Sequence, residues 1–423
     1  MRRGIRCRRS HGRADGSVPA RVSCVEEAMA SRAALLLTGG AEPKNDFQRV
    51  FRHRDFRILW FGSLASFFGS WIQNVARGYL VYELTGSKEK LALVSFLGML
   101  PVTILGPVAG GLVDTLDKRK LLIWTQVVFA ACALYLAFAT WRGFVRYEDL
   151  LIVSVIAGIT GAVESPARQA VVGLVVPKED LAAALPLQAL PFNLARVVGP
   201  AIGGYLVARF GAAICYGIDG MSFVALIFAG IAIRADLSPR GDRATGLWGI
   251  VAEGMRYVVR EDRLRRLFLY ETALSFFGLF YLSMMPAIAK DILHLGADGL
   301  GELYAAAGVG AVIALALNSW SNNKTLRGES FKGTQIKAAL TIFGVSMLAL
   351  SITTRPIIAF PIFAALGFSA VVVFNTTNLL FQLIAPEALR GRAIAMHFWA
   401  ISGIGPFGVF LFGWYSEHFG IDS

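Results

Sequence analysis

Long apolar stretches alternate with short polar connections from residue 57 to residue 415. The apolar stretches lie near 57–82, 91–113, 121–141, 150–165, 184–207, 213–233, 267–288, 301–320, 335–353, 357–384 and 393–415. A run of about 20 apolar residues is the length that carries an α-helix across a bilayer core. Backbone N–H and C=O groups find no water in hydrocarbon, so a spanning run must satisfy them internally, as a helix does. The pattern therefore predicts an all-α membrane protein with eleven spanning helices.

The polar connections fix an orientation. Those following even-numbered spans carry more than twice as many Lys and Arg as those following odd-numbered spans, and the positive-inside rule makes the richer side cytoplasmic, together with the N-terminus. The longest connection, 234–266, separates six spans from five. Its Leu247, Trp248, Ile250, Val251, Met255, Tyr257, Val258 and Val259 alternate with Glu253, Arg256 and Arg260, which predicts an amphipathic helix lying on the membrane surface. Residues 1–46 belong to no span. Seven arginines without periodicity fall in the first 28 residues, so this segment reads as a basic, disordered tail or as sequence ahead of the true start, with Met29 the alternative initiator. It lacks the apolar core and small-residue site of a cleavable signal, and the first span is expected to serve as its own insertion signal.

The chain repeats itself. Ser66-Phe67-Phe68-Gly69 returns as Ser275-Phe276-Phe277-Gly278, an offset of 209; Pro177-Lys178-Glu179 is answered by Pro386-Glu387 at the same offset; and Gly199-Pro200 is answered by Gly405-Pro406 at 206. The order and spacing predict two parallel repeats, 47–233 and 267–423, joined by 234–266. The second repeat then ends one span short, so the chain reads as 6 + 5 spans with a twelfth missing, either by truncation of the reading frame or as an eleven-span variant.

Composition agrees with the span pattern: 55% hydrophobic, 17% charged, mean hydropathy +0.57. The net charge of +12 suggests a nucleic-acid partner until its location is considered, because the cations sit in the short connections. Cys7, Cys24, Cys132 and Cys215 are too dispersed for a disulfide framework or a metal site, and the last two read as apolar span residues. His294, His397 and His418 are scattered, and neither a Gly-x-Ser-x-Gly elbow nor a Walker loop is present, so neither an enzyme, a metal or cofactor site nor ATP as energy source is expected.

Two motifs carry chemistry. Asn193-Leu-Ala-Arg-Val-Val-Gly-Pro-Ala-Ile-Gly-Gly204 sets one arginine, one proline and three glycines in an otherwise apolar helix. Between packed helices such glycines allow close backbone approach, and a buried arginine must face protein or a watery cavity. Gly199-Pro200-x-x-Gly203-Gly204 resembles the core of the antiporter motif in the fifth span of major facilitator drug exporters; the alternative is a packing groove without bearing on direction. Gly110-Gly-Leu112-Val-Asp114-Thr-Leu-Asp-Lys118-Arg119 resembles the superfamily's gating motif, with Thr115 where an arginine is usual. Its implied use is a reversible latch built on Gly110, Asp114, Lys118 and Arg119, against the alternative of an ordinary basic turn. From about Phe47 onward, Gly69-Ser-Trp-Ile-Gln73, Tyr82-Glu-Leu-Thr-Gly-Ser87, Pro166-Ala-Arg-Gln-Ala170, Asn193-Leu-Ala-Arg196 and Arg390-Gly-Arg392 look like the enterobactin exporter-like branch of the major facilitator superfamily.

That resemblance implies the major facilitator fold of two pseudo-symmetric helical bundles, in the inner membrane of a bacterium, acting as a monomer. It implies export of a small siderophore- or drug-like molecule, in exchange for protons, through a midplane site exposed alternately to each side. An importer or facilitator of the same fold, or a truncated relative that does not transport, stays open beside it. Polar groups inside spans are costly in lipid and are the site candidates. Arg196, with Asn193 one turn earlier, ranks first for substrate or counter-charge, and Asp219 is the first carboxylate to consider for proton linkage. Glu271 with Thr272, Gln73, Asn74, and Asn375 with Thr376 and Asn378 follow, each able instead to serve as an interhelical hydrogen bond. Glu164, Arg168 and Gln169 read as gate or loop-anchoring residues at the cytoplasmic end of the fourth span. Arg77 reads as a snorkelling residue near the outer end of the first, and Phe67, Phe68 and Trp71 as packing aromatics or, in the alternative, as rings that stack on an aromatic substrate.

Overall fold

Each predicted apolar stretch is helical. The structure, a computed structural model, describes residues 49–177, 179–238, 247–323, 329–386 and 389–420, so the predicted basic tail 1–46 lies outside the described residues, as do the side chains of Gly110 and Asp114. The first six rods are α1 (Arg54–Thr85), α2 (Lys88–Thr115), α3 (Lys118–Trp141), α4 (Tyr147–Val175), α5 (Leu181–Phe210) and α6 (Ala212–Ala232). The surface helix is α7 (Leu247–Arg260). A seventh rod is composite: α8 (Asp262–Ala273), a π-helical turn (Leu274–Gly278), α9 (Phe280–Ala287) and a second π turn (Ile288–Ile292). Then come α10 (Ala297–Asn323), α11 (Glu329–Ser351), α12 (Pro356–Ile384), α13 (Arg390–Ser402) and α14 (Gly405–Phe419). Among the described residues nine helical stretches are long and apolar enough to cross a bilayer; α1 and α5, 32 and 30 residues long, pack among them.

Local chemistry sets the short turns. Gly86 takes the left-handed conformation (φ 59°) that ends α1, and the Ser87 hydroxyl accepts the Lys90 N–H at 3.2 Å to start α2. Asp117 caps α3 by accepting the Arg119 and Lys120 N–H groups at 2.9 and 3.2 Å.

Three rods differ from expectation. The fourth runs on past its predicted end at Ser165, through Pro166 to Val175, because packed neighbours tolerate a proline that would end a soluble helix. The seventh is interrupted by its π turns. The eleventh breaks at Gly403-Ile404 into α13 and α14.

In the first half α6 packs on α1 and α3, α2 lies along α4, and α5 along α1; in the second, α12 is sandwiched by α10 and α11. The halves meet along two seams, α5 with α10 and α2 with α14. These are one seam repeated. On the first, a methyl on Gly204 would overlap the Gly301 backbone; on the second, a methyl on Gly413 would overlap the Ala92 side chain. Adding 209 to 204 gives 413, and subtracting it from 301 gives 92. The repeat seen in the sequence is thus carried into the closest backbone approaches between halves.

Candidate functional site

A cavity of about 300 Å³ opens within the first half, walled by α1, α3, α4 and α6, with Phe192 of α5 at its side. Ser66, Ser70, Gln73 and Asn74 project from α1, one helical face at spacings of three and four. Opposite them is Asp219 of α6, 1% exposed, which accepts a 3.4 Å hydrogen bond from the Ser70 hydroxyl. Gly69 lets α1 sit directly on α6 there, since any side chain would strike Asp219 and Ser222. At the α4 wall Glu164 and Arg168, one turn apart, form a buried ion pair through Arg168 Nε at 2.5 Å, with the Gln126 amide donating to the same carboxylate oxygen at 3.3 Å. The Arg168 guanidinium also lies 4.4 Å over the Phe67 ring. Phe67, Trp71 and Phe192 form an aromatic edge-to-face chain, and Phe129 stacks on Phe223 at 5.1 Å. The result is a pocket lined by five aromatic rings, one carboxylate outside any close ion pair, and several hydroxyl and amide groups. That is suited to an organic molecule with an apolar body and a few polar substituents.

This arrangement corrects two expectations. Glu164 and Arg168 are not loop anchors at a helix end; they lie inside α4 and face the cavity, while Gln169 points away and is exposed. Phe67 and Trp71, read as packing or substrate-stacking rings, line the cavity, so both readings stay open for them. Arg77 does not snorkel: it donates to Asn74 Oδ1 at 2.7 Å and lies within electrostatic reach of Tyr216, Tyr304 and Asp219.

A second polar cluster occupies the other half. Glu271 of α8 is fully buried, and its Oε1 lies 2.7 Å from Nδ1 of His397 on α13, itself 2% exposed. Thr377 of α12 donates to the same oxygen. The three helices are brought together around one carboxylate. Sequence reasoning named Glu271 but treated His397 as scattered; a histidine inside a span is itself an unusual expense, and that signal was sufficient to single it out.

A third group joins the halves at the end holding the α1–α2 turn. The Tyr82 hydroxyl donates to Asp291, Lys88 Nζ is 3.9 Å from the same carboxylate, and the Lys88 N–H donates to Glu417 at 2.8 Å. Lys290 lies over the Tyr82 ring at 5.5 Å. Tyr82 and Asp291 are again 209 apart, so they occupy equivalent places in the two repeats.

The remaining candidates are spread. Arg196 is half-buried on α5 outside the cavity lining and within electrostatic reach of Tyr281 in the other half, while Asn193 donates to Ala189 O at 2.9 Å within its own helix. Asn375 is exposed on α12. Gly199 and Gly203 seat α5 on Trp71 and Ile72 of α1, with Pro200 buried beside them, whereas Gly204 faces α10. At the basic end the Lys118 N–H donates to Leu237 O at 3.1 Å and Arg119 to Ala235 O at 2.9 Å, tying the α2–α3 turn to the segment after α6. Asp180, before α5, accepts from His53 at 2.7 Å and pairs with Arg49; the His53 hydrogen bond, then Arg49, hold its carboxyl below the usual range.

Packed rods in two related halves, meeting at two equivalent seams around a polar interior, define a multi-pass membrane transporter of the major facilitator fold. The chain belongs to the transmembrane secretion effector family, whose sequence profile matches residues 49–423. It is similar to macrolide efflux protein A of Streptococcus pyogenes, 26% identical over 383 residues, covering 87% of this chain and 90% of that protein. It is also similar to the staphyloferrin A transporter of Staphylococcus aureus (strain NCTC 8325 / PS 47), 24% identical over 377 residues, covering 86% and 90%. Among solved structures it superposes on a bacterial homologue of the human lysosomal transporter Spinster in an inward-facing, unoccupied conformation, with a TM-score of 0.68, 13% identity, and 87% and 83% coverage. Relatives with a siderophore and a macrolide in their names are matched about equally well, so the expectation of the enterobactin exporter-like branch is carried only as far as the family.

Proposed function

We propose that this chain exports a small amphiphilic organic molecule across a bacterial plasma membrane in exchange for protons, working as a monomer with its N-terminus in the cytoplasm. The supporting observation is the cavity: five aromatic rings, the buried Asp219 and the Glu164–Arg168 pair, in a bundle held shut at the end marked by Tyr82 and Asp291. With the basic end cytoplasmic, that shut end faces outward and the conformation is inward-facing. The working parts are the bundle 47–233, the surface-helix linker 234–266 and the bundle 267–423, rocking about the two glycine seams. Substrate enters from the inner side against the aromatic wall, and Arg196 at the interface supplies counter-charge as the halves change contact. Asp219 carries the transported proton or the substrate's cationic group, and Lys118 and Arg119, with Gly110 and Asp114, hold the inner end when it closes.

The test uses inverted membrane vesicles with an imposed proton gradient and labelled erythromycin. Uphill uptake that collapses with the gradient, and that falls at least tenfold in Asp219→Asn, is expected; a tenfold loss corresponds to about 1.4 kcal/mol of transition-state stabilisation. Uptake indifferent to the gradient would sink the antiport reading, and uptake only in right-side-out vesicles would reverse the direction.

A further inference from the structure

We propose that Glu271 and His397 form a proton-binding pair in the second half that governs the outer closure, an inference resting on the antiport reading. Nδ1 of the ring lies 2.7 Å from Glu271 Oε1, which leaves Nε2 as the atom that takes a proton from water. Loading converts the contact between a neutral imidazole and the Glu271 carboxylate into a carboxylate–imidazolium ion pair without moving either group. Release returns the same proton to water on the other side, with no other bond made or broken.

Three observations carry it. The pair is fully enclosed, at 0% and 2% exposure, where an interhelical contact could be made more cheaply by neutral side chains. Both helices lose regularity just beyond it: the π turn Leu274–Gly278 begins three residues after Glu271, and the α13–α14 break at Gly403-Ile404 follows His397 by a turn and a half. The Ser275 hydroxyl donates to Ile401 O at 2.5 Å, fastening the two irregular segments to each other. Beyond these hinges lie the second half's contributions to the outer closure, Asp291 on the second π turn and Glu417 on α14. A stronger or weaker α8–α13 contact at the pair therefore acts on the two segments that hold the gate.

The surroundings leave the pair as the group that responds. α12 contributes Thr377 and has no titratable side chain. On α13, Arg390 and Arg392 sit in the first turn, Arg392 engaged with Glu253 of α7 at 2.5 Å. Tyr257 of α7 and Tyr270 of α8 are the neighbouring phenols. Among the described residues His397 is the electrostatic partner of Glu271.

The experiment needs no substrate. The full chain, with its four cysteines replaced and spin labels at Leu84→Cys and Gly296→Cys, is placed in nanodiscs and the distance distribution at the outer end is followed between about pH 5 and pH 8. A sigmoidal shift between closed and open populations is expected. It should disappear, or its midpoint should move by at least about one pH unit, in His397→Gln and Glu271→Gln, while Gly106→Ala, whose added methyl meets nothing within 4 Å, keeps the wild-type midpoint. The double variant Glu271→Gln/His397→Gln preserves an amide–amide hydrogen bond and guards against misfolding; it should be monodisperse and pH-insensitive. A wild type without the shift, or a His397→Gln chain that retains it, overturns the proposal. Failure of the wild type to transport erythromycin with the pH shift intact refutes the export reading and leaves the pair standing.

Discussion

Glu164 and Arg168 show what a buried charge demands of its neighbours. Each is nearly enclosed, and one helical turn brings them into contact, so the pair is tolerated where either alone would not be. Arg168→Met should therefore lose about 3–5 kcal/mol, whereas Glu164→Gln/Arg168→Met should lose less than the single change, because no uncompensated carboxylate remains. Thermal unfolding of the three proteins in one detergent reads the order directly, and a double variant less stable than the single would contradict it. Asp180 makes a pH prediction. Its folded pKa is lowered, so its contribution is fully present above the unfolded value of about 3.9 and is lost as pH falls through the folded one. The stability gap between wild type and Asp180→Asn should thus be constant near neutral pH and close below about pH 4, measured by unfolding temperature across a pH series. Of the residues concerned, Glu164, Arg168, Asp219 and Glu271 were legible in the sequence as polar groups in apolar runs. Asp180's partners and the His397–Glu271 contact were not, since each joins positions more than 120 residues apart and only the packing of helices decides which faces meet.

Among helices, the glycine seams are where sequence and packing agree most closely. The 209-residue offset, read from short repeats, also maps Gly204 onto Gly413 and Gly301 onto Ala92, the closest approaches of α5 with α10 and of α14 with α2. Gly204→Leu meets Gly301 backbone and Gly413→Leu meets the Ala92 Cβ, neither of which can rotate away, so in each variant the helices must part, at an expected cost of about 1–3 kcal/mol. Maleimide labelling of a cysteine at Gly296 should quicken in both, and Gly106→Ala, where an added methyl meets nothing within 4 Å, should leave it unchanged. The same repeats do not foretell helix geometry. Ser-Phe-Phe-Gly is regular α-helix at 66–69 and a π turn at 275–278, because Gly69 is pressed on α6 while Ser275 is drawn to the Ile401 carbonyl. Nor does Pro166 end its helix, as the soluble-protein rule suggests, since neighbouring helices stabilise the interrupted ladder.

For the whole molecule, the question is what holds one end shut. Tyr82 and Asp291 sit at equivalent positions of the two repeats, so a single hydrogen bond spans the pseudo-symmetry axis, with Lys88 and Glu417 beside it. A hydrogen bond to a charged acceptor is worth about 1.5–3 kcal/mol, and the Asp291 side chain is 37% exposed, which favours the lower figure. Tyr82→Phe should therefore change the ratio of closed to open molecules by about tenfold, since about 1.4 kcal/mol is a factor of ten. Asp291→Asn also weakens the Lys88 contact and should move it further. Glycine contacts at the seams supply no such switch, being dispersion and close fit, which resist opening but carry no charge to be exchanged. Distances between spin labels at Leu84 and Gly296 separate the two contributions: a tenfold rise of the open fraction in Tyr82→Phe, about what the loss of one such bond predicts, assigns the closure to the axial hydrogen bond. An unchanged distribution in both variants assigns it to the seams, and then Gly204→Leu alone should open the molecule.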